Sequence, residues 1–598
     1  MTAAASPIRI ANCSGFFGDR LSAAAQLLDE HEQIDVLTGD WLAELTMSIL
    51  AKSRAQGRAG YATTFVTQME QVLGRCHDKG IKIVSNAGGI DPHGCADRVR
   101  EIADRLGIAI TVAVVDGDDL TDRLDELRSA GEVFRHLDTR ALWTAHSGDV
   151  VAANAYLGGH AITAALRAGA DLVITGRVAD AAVVSGAAAW WHGWRANDFD
   201  ALAGATVAGH AIECGTQVTG GNFAFFDDIA DLTEPGFPIA EIAGDGSSVI
   251  TKLAGTGGAV TVDTVTAQLL YEIAGPRYPV PDVVARFDSV RLRQLGPDRV
   301  EISATTGEPA PSQAKVLLTY PGGFRNSMTL AITGADRRAK ADLGERAVWA
   351  QIPGGRARFA ESLVEVIGAT LESNAADDQS YLRISVADPD SAAVGRQFSS
   401  AVVATALASY PGLYLTTPPG PAMEFMVGWP TLIDASRVKP RVHLGDKHID
   451  IATPTRTAAL AIDQPRALSP AEDADDADDA EFTTIDIGRF VGARSGDKGG
   501  NANLGLWVPD ARHVPMLDYL TVPHRLAALL PELQRHDIRV YPLPNLLAVN
   551  VVIVGLLGNG VAASLREDPQ AKSLGERFRA VRTTVPAALV PDLISLEA

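Results

Sequence analysis

Three loops place charged or titratable side chains beside glycines, each close to a β-branched run. The first, Asn86-Ala87-Gly88-Gly89-Ile90-Asp91-Pro92-His93-Gly94, follows Ile81-Lys82-Ile83-Val84 and precedes a helical pattern. That order puts it at the carboxyl edge of a parallel sheet, where open α/β folds bind ligands. Gly88 and Gly89 would let the backbone approach a ligand closely, and the N–H groups of the following helix would favour an anion. His93 is then a candidate general acid or base, with Asp91 as its orienting carboxylate or a second acid. The same residues also read as a tight turn, with Asp91 capping a helix and His93 exposed in its first turn.

The second loop, Thr175-Gly176-Arg177-Val178-Ala179-Asp180, follows Leu172-Val173-Ile174 in the same way. The guanidinium fork of Arg177 suits a carboxylate, a thioester oxygen or a phosphate. Asp180 either caps the helix that continues to about Trp191 or holds Arg177, and a purely structural pair is the alternative. The third, Ala493-Arg494-Ser495-Gly496-Asp497-Lys498-Gly499-Gly500-Asn501-Ala502-Asn503, has the composition of a backbone cradle for phosphate or carboxylate, with Arg494, Lys498 and Asn501 as contacts. An ordinary charged hairpin is the other reading. It is not a Walker A loop, because Lys498 is followed by glycine.

Other stretches carry weaker signals. Ser14 to Asp19 and Gly39-Asp40-Trp41-Leu42-Ala43-Glu44 lack the G-x-G-x-x-G pattern, so dinucleotide binding is unsupported; Asp40 reads as a helix cap or a site residue. Glu213 to Asn222 is a ligand-contacting loop or a β-turn. Cys214 has only a sequence neighbour, His210, to serve as base for a thiol nucleophile. No zincin spacing and no G-x-S-x-G elbow occur, and the four cysteines form no C-x-x-C pair. Neither a bound metal nor an intrinsic cofactor is expected, and a reducing cytoplasm fits the thiols.

Positioning these loops requires parallel strands. Ile8 to Ala11, Ile34 to Leu37, Ile81 to Val84, Ile110 to Val115 and Leu172 to Thr175 alternate with amphipathic runs, which implies a doubly wound, Rossmann-like α/β domain over residues 1–196. Residues 197–463 read as an α+β domain. In it, strands are expected at Val260 to Val262, Val290 to Arg293, Lys315 to Thr319 and Tyr381 to Val386, with helices at Leu343 to Ile352, Phe359 to Leu371 and Gly395 to Ser409. Residues 464–481, QPRALSPAEDADDADDAE, have no base after Arg466 and read as an acidic linker. Residues 482–598 form a small α/β sandwich. Val540 to Leu565 carries no charge, yet Pro542, Pro544, Asn545, Asn550 and Asn559 interrupt it, so it reads as buried strands rather than a membrane span.

The chain has 598 residues and a formal net charge of −21, with no concentrated basic run, which disfavours nucleic acid and anionic membranes as partners. The segments TGDWLAELTM, GYATTFV, SNAGGIDPHG, TGRVADAA, CGTQVTGGNF and YEIAGPRYPVPDV together resemble the acyclic terpene utilisation family AtuA. ARSGDKGGNANLGL is similar to the ferredoxin-fold module attached to longer members. The resemblance implies acyl-CoA catabolism in a bacterial cytoplasm, in the breakdown of citronellol and geraniol. The combined expectation is hydration, elimination or carbon–carbon lysis of a branched or isoprenoid acyl thioester, with coenzyme A as substrate carrier. In that reading His93, Asp91, Arg177 and Asp180 are catalytic, and Gly88, Gly89, Arg494, Lys498 and Asn501 bind the coenzyme. A homo-oligomer is expected. The rival is a non-catalytic acyl-CoA-binding or scaffolding subunit of a carboxylase or lyase assembly.

Overall fold

The computed structural model describes residues 6–28, 33–143, 150–369, 371, 378–467 and 481–590. Most of the acidic segment read as a linker, 468–480, lies outside the described residues. The chain forms two compact units: Met1–Leu318 with Trp429–Leu556 and Ala571–Ala598, and Thr319–Gly428 with Leu557–Gln570.

The first unit is organised by strands β1 (Ile8–Asn12), β2 (Val36–Gly39), β3 (Lys82–Ser85), β4 (Val112–Asp116), β5 (Ala152–Ala155) and β6 (Leu172–Thr175). Five of them lie side by side in the order β1, β2, β3, β6, β4, all parallel. Side chains alternate across this sheet. Ile10, Val36, Val84, Val115 and Val173 enter one core with helices His160–Arg167, Ala182–His192 and Phe199–Glu213. Ala11, Leu37, Ile83, Val114 and Ile174 enter a second core with helices Thr63–Lys79 and Pro92–Leu106. Both faces are therefore dry, which explains why the strands read as continuous apolar runs.

The sheet is mixed, not purely parallel, and this corrects the Rossmann-like expectation. Pro238–Ile242 pairs antiparallel with β1, and Arg441–Leu444 pairs antiparallel with β4. Further strands extend both sides, to eleven among the described residues. The additions cover edges that would otherwise expose unpaired backbone groups. They also place residue 196 inside one unit. Helix Phe199–Glu213 escaped the sequence reading because of Gly204 and Gly209. A side chain at Gly204 would stand 2.2 Å from the Gly246 carbonyl, and one at Gly209 would stand 2.8 Å from the Ala181 carbonyl. These glycines permit close packing and do not break the helix.

Val260 to Val262 is not a strand. Thr261 caps helix Val262–Leu269, accepting from the Thr264 N–H at 3.1 Å. In the second unit, Phe359 to Leu371 is not a helix either: Glu361–Gly368 is a strand paired with Gln379–Asp388. Its β-branched, alternating Leu363-Val364-Glu365-Val366-Ile367 outweighs its glutamates. That unit packs Met328, Leu330, Ile332, Leu382, Ile384 and Val386 against helices Arg337–Ala350 and Phe398–Ala404.

In the carboxyl-terminal region of the first unit, Gly492–Lys498, Asn501–Trp507, Ala548–Ile553 and Ile538–Leu543 form a four-stranded antiparallel sheet. The uncharged stretch beginning at Val540 is thus a buried strand pair, joined by Pro544 to Leu547. Among the described residues no helix is long and apolar enough to cross a membrane.

A buried ion pair ties the amino end of helix His160–Arg167 to the strand pair near residue 280. Asp282 lies 2.6 Å from His160 Nδ1 and accepts the Gly159 N–H. The Asp282 carboxylate raises the imidazole above its ordinary value, against the effect of burial. Burial pushes the Asp282 carboxyl up, but the His160 charge and the N–H donors outweigh it and hold it below its usual range. The His160 contribution to stability is therefore complete below the ordinary imidazole pKa and lost as pH rises through the raised folded value. The Asp282 contribution is present above the ordinary carboxylate pKa and lost in acid. Asp282→Asn is expected to cost about 1–3 kcal/mol of unfolding free energy at about pH 5.5, and less at about pH 9. Urea denaturation at the two pH values checks this, and a cost that grows with pH would refute it.

Candidate active site

The loop after β2 is pinned before it delivers any chemistry. The Asp40 N–H donates to the Ser14 carbonyl at 2.9 Å, and the Trp41 N–H donates to Asn86 Oδ1 at 2.8 Å. The Asn86 amide in turn donates to the Asp40 carboxylate. Asp40, after β2, is thus tied to loops after β1 and β3 at the carboxyl edge. Glu44 then opens helix Glu44–Ala55, where an acidic first turn suits the helix dipole. It accepts from Lys315 Nζ at 2.8 Å and from the Tyr156 hydroxyl at 3.2 Å.

Tyr156 follows β5, which pairs with the strand Gln313–Thr333 that carries Lys315. Two cations stand over its ring: Arg177 Cζ is 4.3 Å and Lys315 Nζ 4.5 Å from the centroid. Arg177 is 3% exposed; its Nη1 donates to Asp180 at 2.6 Å and to the Leu42 carbonyl at 3.2 Å. Its backbone N–H donates to Asp118 at 2.9 Å, and the Asn154 amide donates to the same oxygen at 2.9 Å. Burial pushes the Asp118 carboxyl up to about 7 despite these donors.

Helix Phe199–Glu213 adds His210 and Glu213, joined through Nδ1 and Oε1 at 3.0 Å. Their other polar atoms, His210 Nε2 and Glu213 Oε2, are buried and find no hydrogen-bond partner among the described residues. The carboxyl-terminal module completes the site. Its hairpin packs on Tyr271 so closely that a side chain at Gly496 would stand 2.4 Å from that ring, while Arg494 Cζ lies 4.4 Å from the ring centroid. Lys498, at the end of this strand, places Nζ 5.9 Å from the Tyr278 ring centroid, and the Tyr278 ring lies 4.9 Å from that of His210.

Between these groups sits Glu272 in the left-handed region, φ +55°, a conformation that costs a side-chain-bearing residue about 1–3 kcal/mol. The module holds it there. Asn503 Oδ1 accepts the Glu272 N–H at 2.7 Å, the Asn503 amide donates to Asn550, and the Asn550 amide donates to the Ile273 carbonyl at 3.2 Å.

Six carboxyls, Asp40, Glu44, Asp180, Glu213, Glu272 and Asp497, share this environment with three cations, Arg177, Lys315 and Lys498. Asp40, Glu213 and Arg177 are buried and the others half-buried, so an excess of negative charge is costly there and favours proton retention. Burial, with Asp180 nearby, raises both Asp40 and Glu213 well above the carboxylate range. Burial with Glu272 and Glu44 pushes Asp497 up to about 8. Glu44 goes the other way: burial would raise it, but Lys315 holds it at about 2. Lys498 is lowered by burial and by Lys315, against the pull of Glu272, Glu44 and Asp180. His210 is pushed down to about 4 by burial and by Lys498. The site thus pairs protonated acids with a weakened lysine, a set suited to donating and accepting protons.

The residues singled out from sequence distribute unevenly over this structure. Arg177, Asp180 and Lys498 enter the cluster. Asp91 does not: it caps helix Pro92–Leu106, its carboxylate accepting the Gly94 N–H at 3.0 Å. His93 sits elsewhere, its side chain 52% exposed, with Nε2 2.9 Å from Asp116 rather than bonded to Asp91. Gly88 and Gly89 have protein where a ligand was expected. A side chain at Gly88 would meet the Thr175 carbonyl at 2.5 Å, and one at Gly89 would meet Leu50 at 2.5 Å. Both terminal nitrogens of Arg494 are engaged, by Gln217 and by the Asn222 carbonyl. Asn501 donates to Asp138 at 2.7 Å and accepts from the Gly555 N–H at 2.9 Å, so its amide is structural. Burial drives the Cys214 thiol well above its ordinary value, and His210 bonds Glu213, so no thiolate–histidine pair forms.

Sequence reasoning missed Glu44, Tyr156, Lys315 and Glu272. The TGDWLAE segment after β2 was the available signal for Glu44. Lys315, lone in an apolar run, gave none.

The family model for the acyclic terpene utilisation family protein AtuA matches residues 8–444, and the model for the AtuA ferredoxin-like domain matches residues 485–583. No curated protein and no solved structure matches the chain. With the first model spanning the strands and helices that carry every member of the buried cluster except Asp497 and Lys498, and the second spanning the hairpin that supplies those two, the chain belongs to the acyclic terpene utilisation family AtuA.

Proposed function

We propose that the chain is a cytoplasmic acid–base enzyme of acyclic terpene utilisation, acting on a branched or isoprenoid acyl thioester by hydration, elimination or carbon–carbon lysis. The observation that carries this reading is the buried cluster at the carboxyl edge of the sheet, with its elevated Glu213 and its depressed Lys498. All three reaction types turn on moving a proton near a carbonyl whose oxygen gains negative charge. Arg177, braced by Asp180 and the Tyr156 ring, and Lys315, held by Glu44, are the cations that would stabilise that oxygen. Lys498 is the base, because a lysine weakened by burial and a neighbouring cation accepts a proton more readily near neutrality. Glu213, kept protonated and braced by His210, is the acid. The coenzyme A carrier belongs to this proposal through the family resemblance. The engaged side chains of Arg494 and Asn501 leave its nucleotide without the contacts expected from sequence.

Incubating the purified chain with isoprenoid, branched and dicarboxylic acyl-CoAs, and following mass, tests the reading. Gain or loss of water, or release of a fragment, is the expected result. Tight binding of an acyl-CoA without turnover would instead mark a binding subunit.

On the substrate so identified, Lys498→Met is expected to lower kcat by roughly 10²–10⁴-fold. Arg177→Lys should lose substrate capture beyond a charge-conserving change, because lysine cannot replace a fork. Wild-type turnover in both variants would move the chemistry elsewhere.

The pH profile of kcat/KM gives the signs. Lys498 must be neutral to accept a proton, so activity rises with pH as it deprotonates; Glu213 must be protonated to donate, so activity falls as it ionises. The residual activity of Lys498→Met should lose the ascending limb, and that of Glu213→Gln the descending one. Unchanged limbs in either variant would remove that residue from its role.

A further inference from the structure

His93, set aside from the buried cluster, has a second histidine and a carboxylate for neighbours. Asp116 ends β4, His93 lies in the first turn of helix Pro92–Leu106, and His443 lies on the strand Arg441–Leu444 opposite Val114. The facing side chains on β4 and its antiparallel partner alternate. Val115 and Val442 enter the core on one face of the sheet, whereas Val114 enters the core that helix Pro92–Leu106 covers. Asp116 and His443 are in phase with Val114, which brings both to the side from which His93 descends.

One ligand atom from each residue converges. His93 Nε2 and His443 Nε2 each lie 2.9 Å from the same Asp116 oxygen, Oδ2, and all three atoms fall within 4.8 Å of one another. The imidazole rings meet edge to face, with centroids 5.0 Å apart and planes at 76°. The His93 contact has hydrogen-bond geometry. The His443 contact does not: at the same separation its buried Nε2 makes no hydrogen bond among the described residues. A nitrogen this close to a carboxylate oxygen but not directed at it is placed as a co-ligand is, both atoms facing a third centre. The two nitrogen–oxygen separations of 2.9 Å agree, because ligands about 2.1 Å from one ion stand roughly 3.0 Å apart at a right angle and about 3.4 Å apart at a tetrahedral one.

We propose that His93, Asp116 and His443 form a binding site for a first-row divalent transition metal ion such as zinc. Two imidazoles and one carboxylate are the donor set for such ions, whereas magnesium and calcium take all-oxygen shells. Three protein ligands leave coordination positions open, and the site faces solvent, with side-chain exposures of 52% for His93 and 30% for His443. The metal therefore carries water or an exogenous oxygen or nitrogen ligand. Sequence spacing hid the site, because positions 93, 116 and 443 match no metal motif and meet only when the late strand joins the edge of β4.

The test uses the full-length chain without a purification tag, stripped with chelator and titrated separately with Zn²⁺ and Co²⁺. One equivalent of zinc retained per chain after gel filtration, and visible Co²⁺ d–d absorption saturating at one equivalent, are expected. His93→Ala, Asp116→Asn and His443→Ala, each confirmed folded by circular dichroism, should each weaken Co²⁺ binding by more than about tenfold, since even outer partners of metal ligands are worth 10–100-fold. Retention below a tenth of an equivalent, or unaltered Co²⁺ spectra and affinity in all three folded variants, would overturn the site. Both readouts are independent of turnover, so they stand apart from the chemistry assigned to Lys498 and Glu213.

Discussion

The constraint on which this structure depends is the crowding of unlike numbers of acids and bases, buried or half-buried, at one end of a sheet. Asp40, Glu44, Asp180, Glu213, Glu272 and Asp497 outnumber Arg177, Lys315 and Lys498, so placing a charge on every acid is costly where water is partly excluded. Charge balance is reached by proton retention, and the identity of the retaining groups follows from local pairing. Glu44 is held ionised by Lys315, with Tyr156 also donating to it, whereas burial and the nearby Asp180 and Glu272 raise Glu213 well above the carboxylate range. Stability is spent on such a cluster, since apolar residues would fill the same space without desolvation. Reactive groups are what it provides in return.

The same constraint explains why two matched regions far apart in sequence act as one unit. The cluster lacks a cation until the hairpin Gly492–Lys498/Asn501–Trp507 delivers Lys498. The module that brings this charge also holds Glu272 in its left-handed conformation through Asn503 and Asn550. The glycines of ARSGDKGGNANLGL serve this fit. Gly496 and Gly505 leave room for Tyr271 and for Leu270, and a side chain at either would stand 2.4 Å from its neighbour. The loop that resembled a phosphate cradle is a docking strand whose backbone must come close to another part of the chain.

Strands β1 to β4 and β6 were legible because both faces are buried and the residues are therefore uniformly apolar, as in Leu172-Val173-Ile174. What joined them was not legible. Pro238–Ile242 and Arg441–Leu444 extend the sheet by antiparallel pairing that no local pattern announces. The site shows the same division. Arg177 and Asp180 are visible because they follow a strand at the sheet edge and stand three residues apart. Asp91 misled because a carboxylate three residues before a glycine N–H serves equally well as a cap. Lys315 lies on the strand Gln313–Thr333 and Tyr156, 159 residues before it, just after its partner strand β5, and only folding makes them partners of Glu44.

Lys498 is a half-buried lysine, weakened inside the charged cluster. Titration of lysine side chains by ¹⁵N NMR in the full-length protein, with Lys498→Arg to assign the signal, measures this directly. The Lys498 ammonium is expected to lose its proton below the ordinary lysine value of about 10.4, and Glu272→Gln to lower this midpoint further, because the Glu272 carboxylate favours the ammonium. A Lys498 signal titrating with the exposed lysines, indifferent to residue 272, would contradict this.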